Sequence, residues 1–272
     1  MKKSIIIKSI LSGIIIACLN LFHTGCTDIS VDPFDNINNN DNIVSENFSF
    51  RVALTNQSLL RIEGVSGNVT IAGVSNFDSV IVTGEKKVAS QSIQDAQEHF
   101  HELSVNFQNL ENEIYLKTIQ PEESNGRSYI VNYDITLPKN FAILSGTVNG
   151  SVKIDSITNN VTVNNINGTV TLNNLSGNTF VSMVNGNIKN KQSLPPNGSI
   201  DMTTVNGNIQ LEIPQNTSAE LTAGVVNGNI NSSNLNFHSQ SISTYSFRGT
   251  LGTGDGRIDL GTINGNITIL GF

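Results

Sequence analysis

Tryptophan is absent from this 272-residue chain, aromatic residues make up 6% of it and charged residues 14%, and cysteine occurs only twice. Each shortage removes a class of protein. Few aromatics and charges, set beside 23 glycines and an asparagine at about every seventh position, argue against a helical bundle and for a chain of many turns. A formal charge of −7 lacks the basic face with which nucleic-acid binders meet phosphates. Two cysteines give neither a disulfide framework nor a cysteine metal site, and a chain this long needs neither to build a core. The apolar run near the start is short of the roughly 20 residues of a membrane-spanning helix and is broken by the polar Asn20.

Residues 1–25 carry Lys2, Lys3 and Lys8, then the apolar stretch, then small residues before a cysteine. This order reads as a secretion signal. Cys26 follows Thr24 and Gly25, and Cys18 follows Ile15, Ile16 and Ala17. The region resembles a bacterial lipoprotein signal, whose acylated cysteine follows an aliphatic and two small residues. His23 departs from that pattern at Cys26, and Cys18 matches better locally after a shorter apolar run. Cys26 is preferred as the lipidation site because residues 26–46 then form a polar tether, including the stretch DNINNNDN at 35–42. The alternative is an ordinary cleaved signal with incidental cysteines. Processing at Cys26 removes three lysines and no acid, which moves the formal charge from −7 to −10.

From Asn149 the chain divides into steps of nine: NGSVKIDSI, TNNVTVNNI, NGTVTLNNL, SGNTFVSMV, and, after a three-residue expansion holding Pro195 and Pro196, NGSIDMTTV and NGNIQL. Apolar residues fall at unit positions 4, 6 and 9, as in Val152, Ile154 and Ile157. Positions 4 and 6 share a face of a strand, whereas the step of three to position 9 reverses it. A flat strand cannot bury all three, so the chain is expected to bend at positions 7 and 8, which are small or polar, and to bring position 9 inward again. An antiparallel meander with Asn-Gly hairpins predicts positions 4, 6 and 8 instead. The observed spacing favours a coil with corners, with strict Asn-Gly pairs at Asn149, Asn167 and Asn185 setting about 18 residues per coil, and Asn206 and Asn227 continuing at 21. Ser92, with Asp95 three residues on and Ile93, Ala96, Phe100 and Leu103 at helical spacing, predicts one short helix packed on the solenoid or capping an end. Runs at 103–107, 113–117 and 129–137 read as antiparallel strands attached to the repeats.

The segments VNGNI at 184–188, 205–209 and 226–230, and GTINGNITI at 261–269, resemble the bacterial putative-adhesin family of toast-rack-like β-solenoid domains. The resemblance covers residues 47–272 and implies an all-β, right-handed, largely single-stranded β-solenoid on an exported or membrane-attached protein. It implies no catalytic residues, cofactor or metal.

Within residues 145–230 the acids are Asp155, Asp201, Glu212 and Glu220, and Asp155 and Asp201 sit at different unit positions, so no register offers the paired carboxylates of a sugar hydrolase. Asp is missing from most corners, unlike a calcium-binding roll. The candidates Asp255 between two glycines, His99 with His101, and Lys86 with Lys87 read as a turn, a solvated helix face and a turn or surface pair. Position 5 holds Lys153, Thr162, Thr171, Phe180, Lys189, Asp201 and Gln210, which predicts one flat polar surface with a single aromatic. The expected function is a non-enzymatic, lipid-anchored envelope protein acting as an adhesion or interaction scaffold, attached to a membrane by its lipid and meeting a protein or glycan ligand. Alternatives are an accessory of envelope-stress sensing and a carbohydrate-active enzyme. Thr27 after Cys26 points to the outer membrane.

Overall fold

The computed structural model describes residues 40–272, so the signal region, both cysteines and the tether up to residue 39 lie outside the described residues. In chain order the elements are β1 (Asn42–Ala53), β2 (Leu59–Glu63), β3 (Val69–Val74), β4 (Ser79–Ser90), helix α1 (Ile93–His99), β5 (Ser104–Asn109), β6 (Glu113–Ile119) and β7 (Ser128–Pro138). The repeats supply β8 (Ala142–Asn149), β9 (Val152–Asp155), β10 (Val161–Asn167), β11 (Val170–Leu175), β12 (Thr179–Asn185), β13 (Ile188–Gln192), β14 (Ser199–Asn206), β15 (Ile209–Ile213), β16 (Ala219–Asn227) and β17 (Ile230–Ser233). The chain ends with β18 (Phe237–Ser243), β19 (Ser246–Leu251), β20 (Gly256–Asn264) and β21 (Ile267–Gly271).

Successive repeat strands go alternately to two sheets. Within each sheet they pair in parallel at a constant offset, so that Val161 lies beside Ile143 on one side and Thr179 on the other. A meander requires reversed neighbours, so the chain winds as a solenoid. The first strand begins at Asn42, inside the stretch read as tether, because Val44 extends the inward alternation of Phe48, Phe50 and Val52 and β1 pairs with β4 along its whole length.

Coil order in space is not coil order in the chain. One sheet runs β1-β4-β7-β3-β9-β11-β13-β15-β21-β17, and the other β18-β19-β16-β20-β14-β12-β10-β8-β2-β6-β5. The last repeat, β20 with β21, is therefore inserted between the coil of β14 and β15 and the coil of β16 and β17. At the opposite end β6 and β7 pair in parallel with β2 and β3, forming a terminal coil of their own beyond the first one. They are part of the solenoid as well as partners in antiparallel pairs. Both ends use the same device: β7 lies between β3 and β4, and β16 lies between β19 and β20, so each pair of sequence neighbours is split by a strand from elsewhere.

The 4-6-9 pattern holds for alternate units only. Ile157 and Leu175, at position 9, are buried and follow Ser156 (φ 60°) and Asn174 (φ 53°), left-handed residues that turn the chain. In the units between, the strand runs straight to the Asn-Gly corner. Position 8 is then inside, as with Asn165, Met183 and Thr204, while Ile166, Val184 and Val205 at position 9 stay half-exposed. Two of the buried polar groups at position 8 find carbonyls in the corner of a neighbouring coil: Asn165 Nδ2 donates to Gly150 O at 3.0 Å and Thr262 Oγ1 to Gly207 O at 3.0 Å.

Helix α1 forms where the sequence places it. Ser92 Oγ accepts the Asp95 amide at 3.1 Å, and Ala96 and Leu103 are buried, although Ile93 is 48% exposed. The helix packs on β1 and β4, at the end where Phe50 stacks on Phe107 with ring centroids 4.7 Å apart. Aromatic side chains thus close that end of the apolar interior.

Candidate binding face

Six consecutive coils turn first at an Asn-Gly pair, and these corners stack into a spine. Amide side chains donate in one direction, Asn227 to Asn264, Asn264 to Asn206, Asn206 to Asn185, Asn185 to Asn167 and Asn167 to Asn149, at 2.7–2.9 Å. The order of this ladder repeats the strand insertion: Asn206 meets Asn264, and Asn227 is one rung further out. The glycines beside it sit against backbone. A Cβ on Gly186 (φ 143°) would lie 1.6 Å from Gly168 O. The spine is structural, since each amide spends its hydrogen-bonding groups on the next coil.

The outer faces carry the remaining chemistry. Position 5 does not make one surface, because alternate units belong to different sheets: Lys153, Thr171, Lys189 and Gln210 form a row on one, and Thr162, Phe180 and Asp201 a row on the other. The second row continues through Asp259 and Thr222 to Arg248. Toward the other end it passes Leu144 to Arg61, whose guanidinium lies 4.2 Å above the Tyr115 ring, so Phe180 is not the only aromatic in this row.

Asp201 and Asp259 are cross-strand neighbours, which corrects the expectation that no register pairs two acids. Insertion of β20 between β14 and β16 puts Asp259 on the rung between Asp201 and Thr222. Two adjoining depressions of about 340 and 300 Å³ flank the pair. Phe180, Asn178 and Thr162 line the first, Thr203, Thr222 and Arg248 the second, and Asp201, Asp259 and Arg257 are common to both. Arg257 pairs with Asp259 through Nε and Oδ2. Asp201 has no ion-pair or hydrogen-bond partner among the described residues. Burial pushes its carboxyl up from the ordinary aspartate value and Asp259 adds to the rise, against the lowering influence of Arg257.

The other predicted residues fall elsewhere. Asp155 lies on the opposite sheet and accepts Ser156 Oγ at 2.5 Å. Asp255 closes a turn, accepting Ser218 Oγ at 2.9 Å and Thr253 Oγ1 at 2.5 Å. His99 Nδ1 lies 3.0 Å from Glu102 Oε1 and His101 Nδ1 2.8 Å from Glu98 O, so the two rings do not converge. Lys86 and Lys87 lie on β4 rather than in a turn, near Glu46 and Glu85 at 3.5 and 2.8 Å. Among the described residues no group of three His, Cys, Asp or Glu side chains is placed to hold a metal, and no helix is long and apolar enough to cross a membrane.

Two sheets joined by stacked coils, with a corner spine and two ladder-like outer rows, define a β-solenoid of the toast-rack type. A family model described as Toastrack DUF4097 matches residues 27–270, and the chain belongs to that family. Solved structures similar to it include a putative cell adhesion protein from Clostridium sporogenes (11% identity, 84% of this chain and 100% of that one, TM-score 0.44) and a putative adhesin from Bacteroides fragilis (10%, 84% and 97%, TM-score 0.33). A putative adhesin from Parabacteroides distasonis gives 12% identity over 84% and 97% of the two chains, with a TM-score of 0.26. No curated protein matches the chain.

Proposed function

We propose that this is a non-enzymatic protein of the bacterial cell envelope, exported, lipid-anchored through Cys26, and acting as an adhesion or interaction scaffold. The observation that supports it is the hydrogen-bonded stack itself. Eight coils at about 4.8 Å spacing give a body of about 34 Å along the stacking axis, with polar side chains in register on both outer faces. Such a body holds side chains at fixed spacing without enclosing a substrate. Surface proteolysis of intact cells tests the role: cleavage of the protein outside the cell supports adhesion, whereas protection together with one crosslinked inner-membrane partner would move it to envelope-stress sensing. For the anchor, Cys26→Ala is expected to abolish acylation; continued lipid labelling that only Cys18→Ala removes would transfer the site to Cys18.

The Asp201–Asp259 pair is the observation that favours a second reading, a carbohydrate-active enzyme. Side chains on adjacent strands approach the ~5–5.5 Å carboxyl separation of retaining glycosidases. The depressions are open on a sheet face, however, and Asp259 is held by Arg257. Release of new reducing ends from an oligosaccharide, lost in Asp201→Asn, would establish the enzyme and remove the scaffold reading.

A further inference from the structure

The row around Phe180 lies on central strands whose backbone groups are already paired on both sides, so anything bound there is held by side chains. An extended peptide binds more readily by adding to a free sheet edge, and β5 and β18, the edges of this sheet, are remote from Phe180. Phe180, Asp201 and Asp259 occupy three successive rungs, so the ring and the farther carboxylate are about 10 Å apart, which exceeds the reach of a single ion. Charge within the row is uneven. Arg257 matches Asp259, whereas Asp201 is partly buried beside an aromatic ring and lacks a partner among the described residues.

Resting on the scaffold reading and naming its ligand class, we propose that this groove binds a saccharide bearing a free amino group. The apolar face of a pyranose ring stacks on Phe180, and the ammonium pairs with Asp201, where a cation also gains from the adjoining ring. Neighbouring hydroxyls donate to Asp259 and accept from Arg257, each a hydrogen bond to a charged group.

The probes are the hexasaccharide of glucosamine and its fully N-acetylated counterpart, titrated calorimetrically into the full-length chain in detergent. Saturable binding of the first is expected, with the second at least about tenfold weaker. Phe180→Ala and Asp201→Asn should each cost about tenfold, the equivalent of ~1.4 kcal/mol. Lys153→Ala, on the other sheet, should leave affinity unchanged. Asp201→Asn should also hold or raise the melting temperature, because it removes an unmatched carboxylate; this separates lost binding from lost folding. No saturable binding, equal binding of the two hexamers, or full affinity in Asp201→Asn overturns the proposal, and so does a hexalysine peptide that competes at the same site more tightly than the glucosamine hexamer. Failure with the sugars leaves the scaffold reading intact, since that reading falls on the proteolysis experiment instead.

Discussion

The two corners of each coil turn the chain from one sheet to the other by different means. At the Asn-Gly corner the glycine approaches backbone so closely that no side chain fits, and the asparagine beside it is locked to its neighbours in the adjacent coils. At the opposite corner Ser156 and Asn174 turn the chain in the left-handed region, although Gly177 on that side also lies against backbone, where a Cβ would be 2.1 Å from Asn159 O. The expansions fall at this second corner: residues 193–198, holding Pro195 and Pro196, separate β13 from β14, and residues 214–218 separate β15 from β16. One edge of the solenoid is a fixed spine and the other absorbs variation. Close backbone packing leaves no tolerance, whereas a surface loop costs little more entropy as it lengthens.

Substitutions at the two corners should therefore differ in size and in sign. Gly186→Ala forces a methyl group into the Gly168 carbonyl, and a loss of more than about 3 kcal/mol is expected. At ~2–4 °C per kcal/mol for a chain of this size, calorimetry should record a fall of roughly 6–12 °C, and an unchanged melting temperature would dismiss the spine as a constraint. Asn185→Ala removes one donated and one accepted amide bond at an exposed rung, for about 1–2 kcal/mol in urea unfolding. At the second corner the direction reverses: Ser156→Gly relieves a left-handed L-residue and should stabilise by up to ~1 kcal/mol. A loss there would mean that the Ser156 bond to Asp155 outweighs the backbone strain.

The smallest effect lies away from both corners, at the helix-capped end, and appears as pH dependence. Asp95 is held well below its ordinary value of 3.8, first by the Arg127 guanidinium at 2.7 Å and then by Ser90. The folded chain binds this proton more weakly than the unfolded chain does. The pair's contribution is thus complete above the ordinary value and is lost as pH falls toward the depressed one. Asp95→Asn should flatten the acid limb of stability below about pH 4 and leave the dependence at neutral pH unchanged. An identical acid limb in the variant would assign it to other carboxylates, with Glu102, lowered chiefly by Tyr129, the first to examine.

Much of this was legible in local spacing. The nine-residue unit, the 18-residue coil and the N-cap at Ser92 all follow from residues close in sequence, where hydrogen-bond geometry and hydrophobic period act directly, whereas the asparagine ladder joins residues 18 to 58 apart. The parity rule was half legible: apolar residues occupy position 9 in both kinds of unit, yet Val184 and Val205 are half-exposed while Ile157 and Leu175 are buried. Nothing in position 9 itself distinguishes them. Position 8 separates only some of them: Met183 and Thr204 fit a straight inward alternation and Ser156 a turn, but asparagine serves both, inward at Asn165 and turning at Asn174. The candidate site was the least legible part, since Asp201 was read without Asp259, 58 residues away.

By itself, then, the sequence determined that the chain coils, how long each coil is, and which side chains stack within it, because these depend on periodicity and on turn residues acting over a few positions. The order in which coils meet was decided only in the tertiary structure. Coil edges with the same Asn-Gly corner and the same aliphatic columns are interchangeable as partners, so adjacency in the chain does not dictate adjacency in space. The split pairs at both ends exploit that equivalence, and through it Asp259 comes to lie beside Asp201.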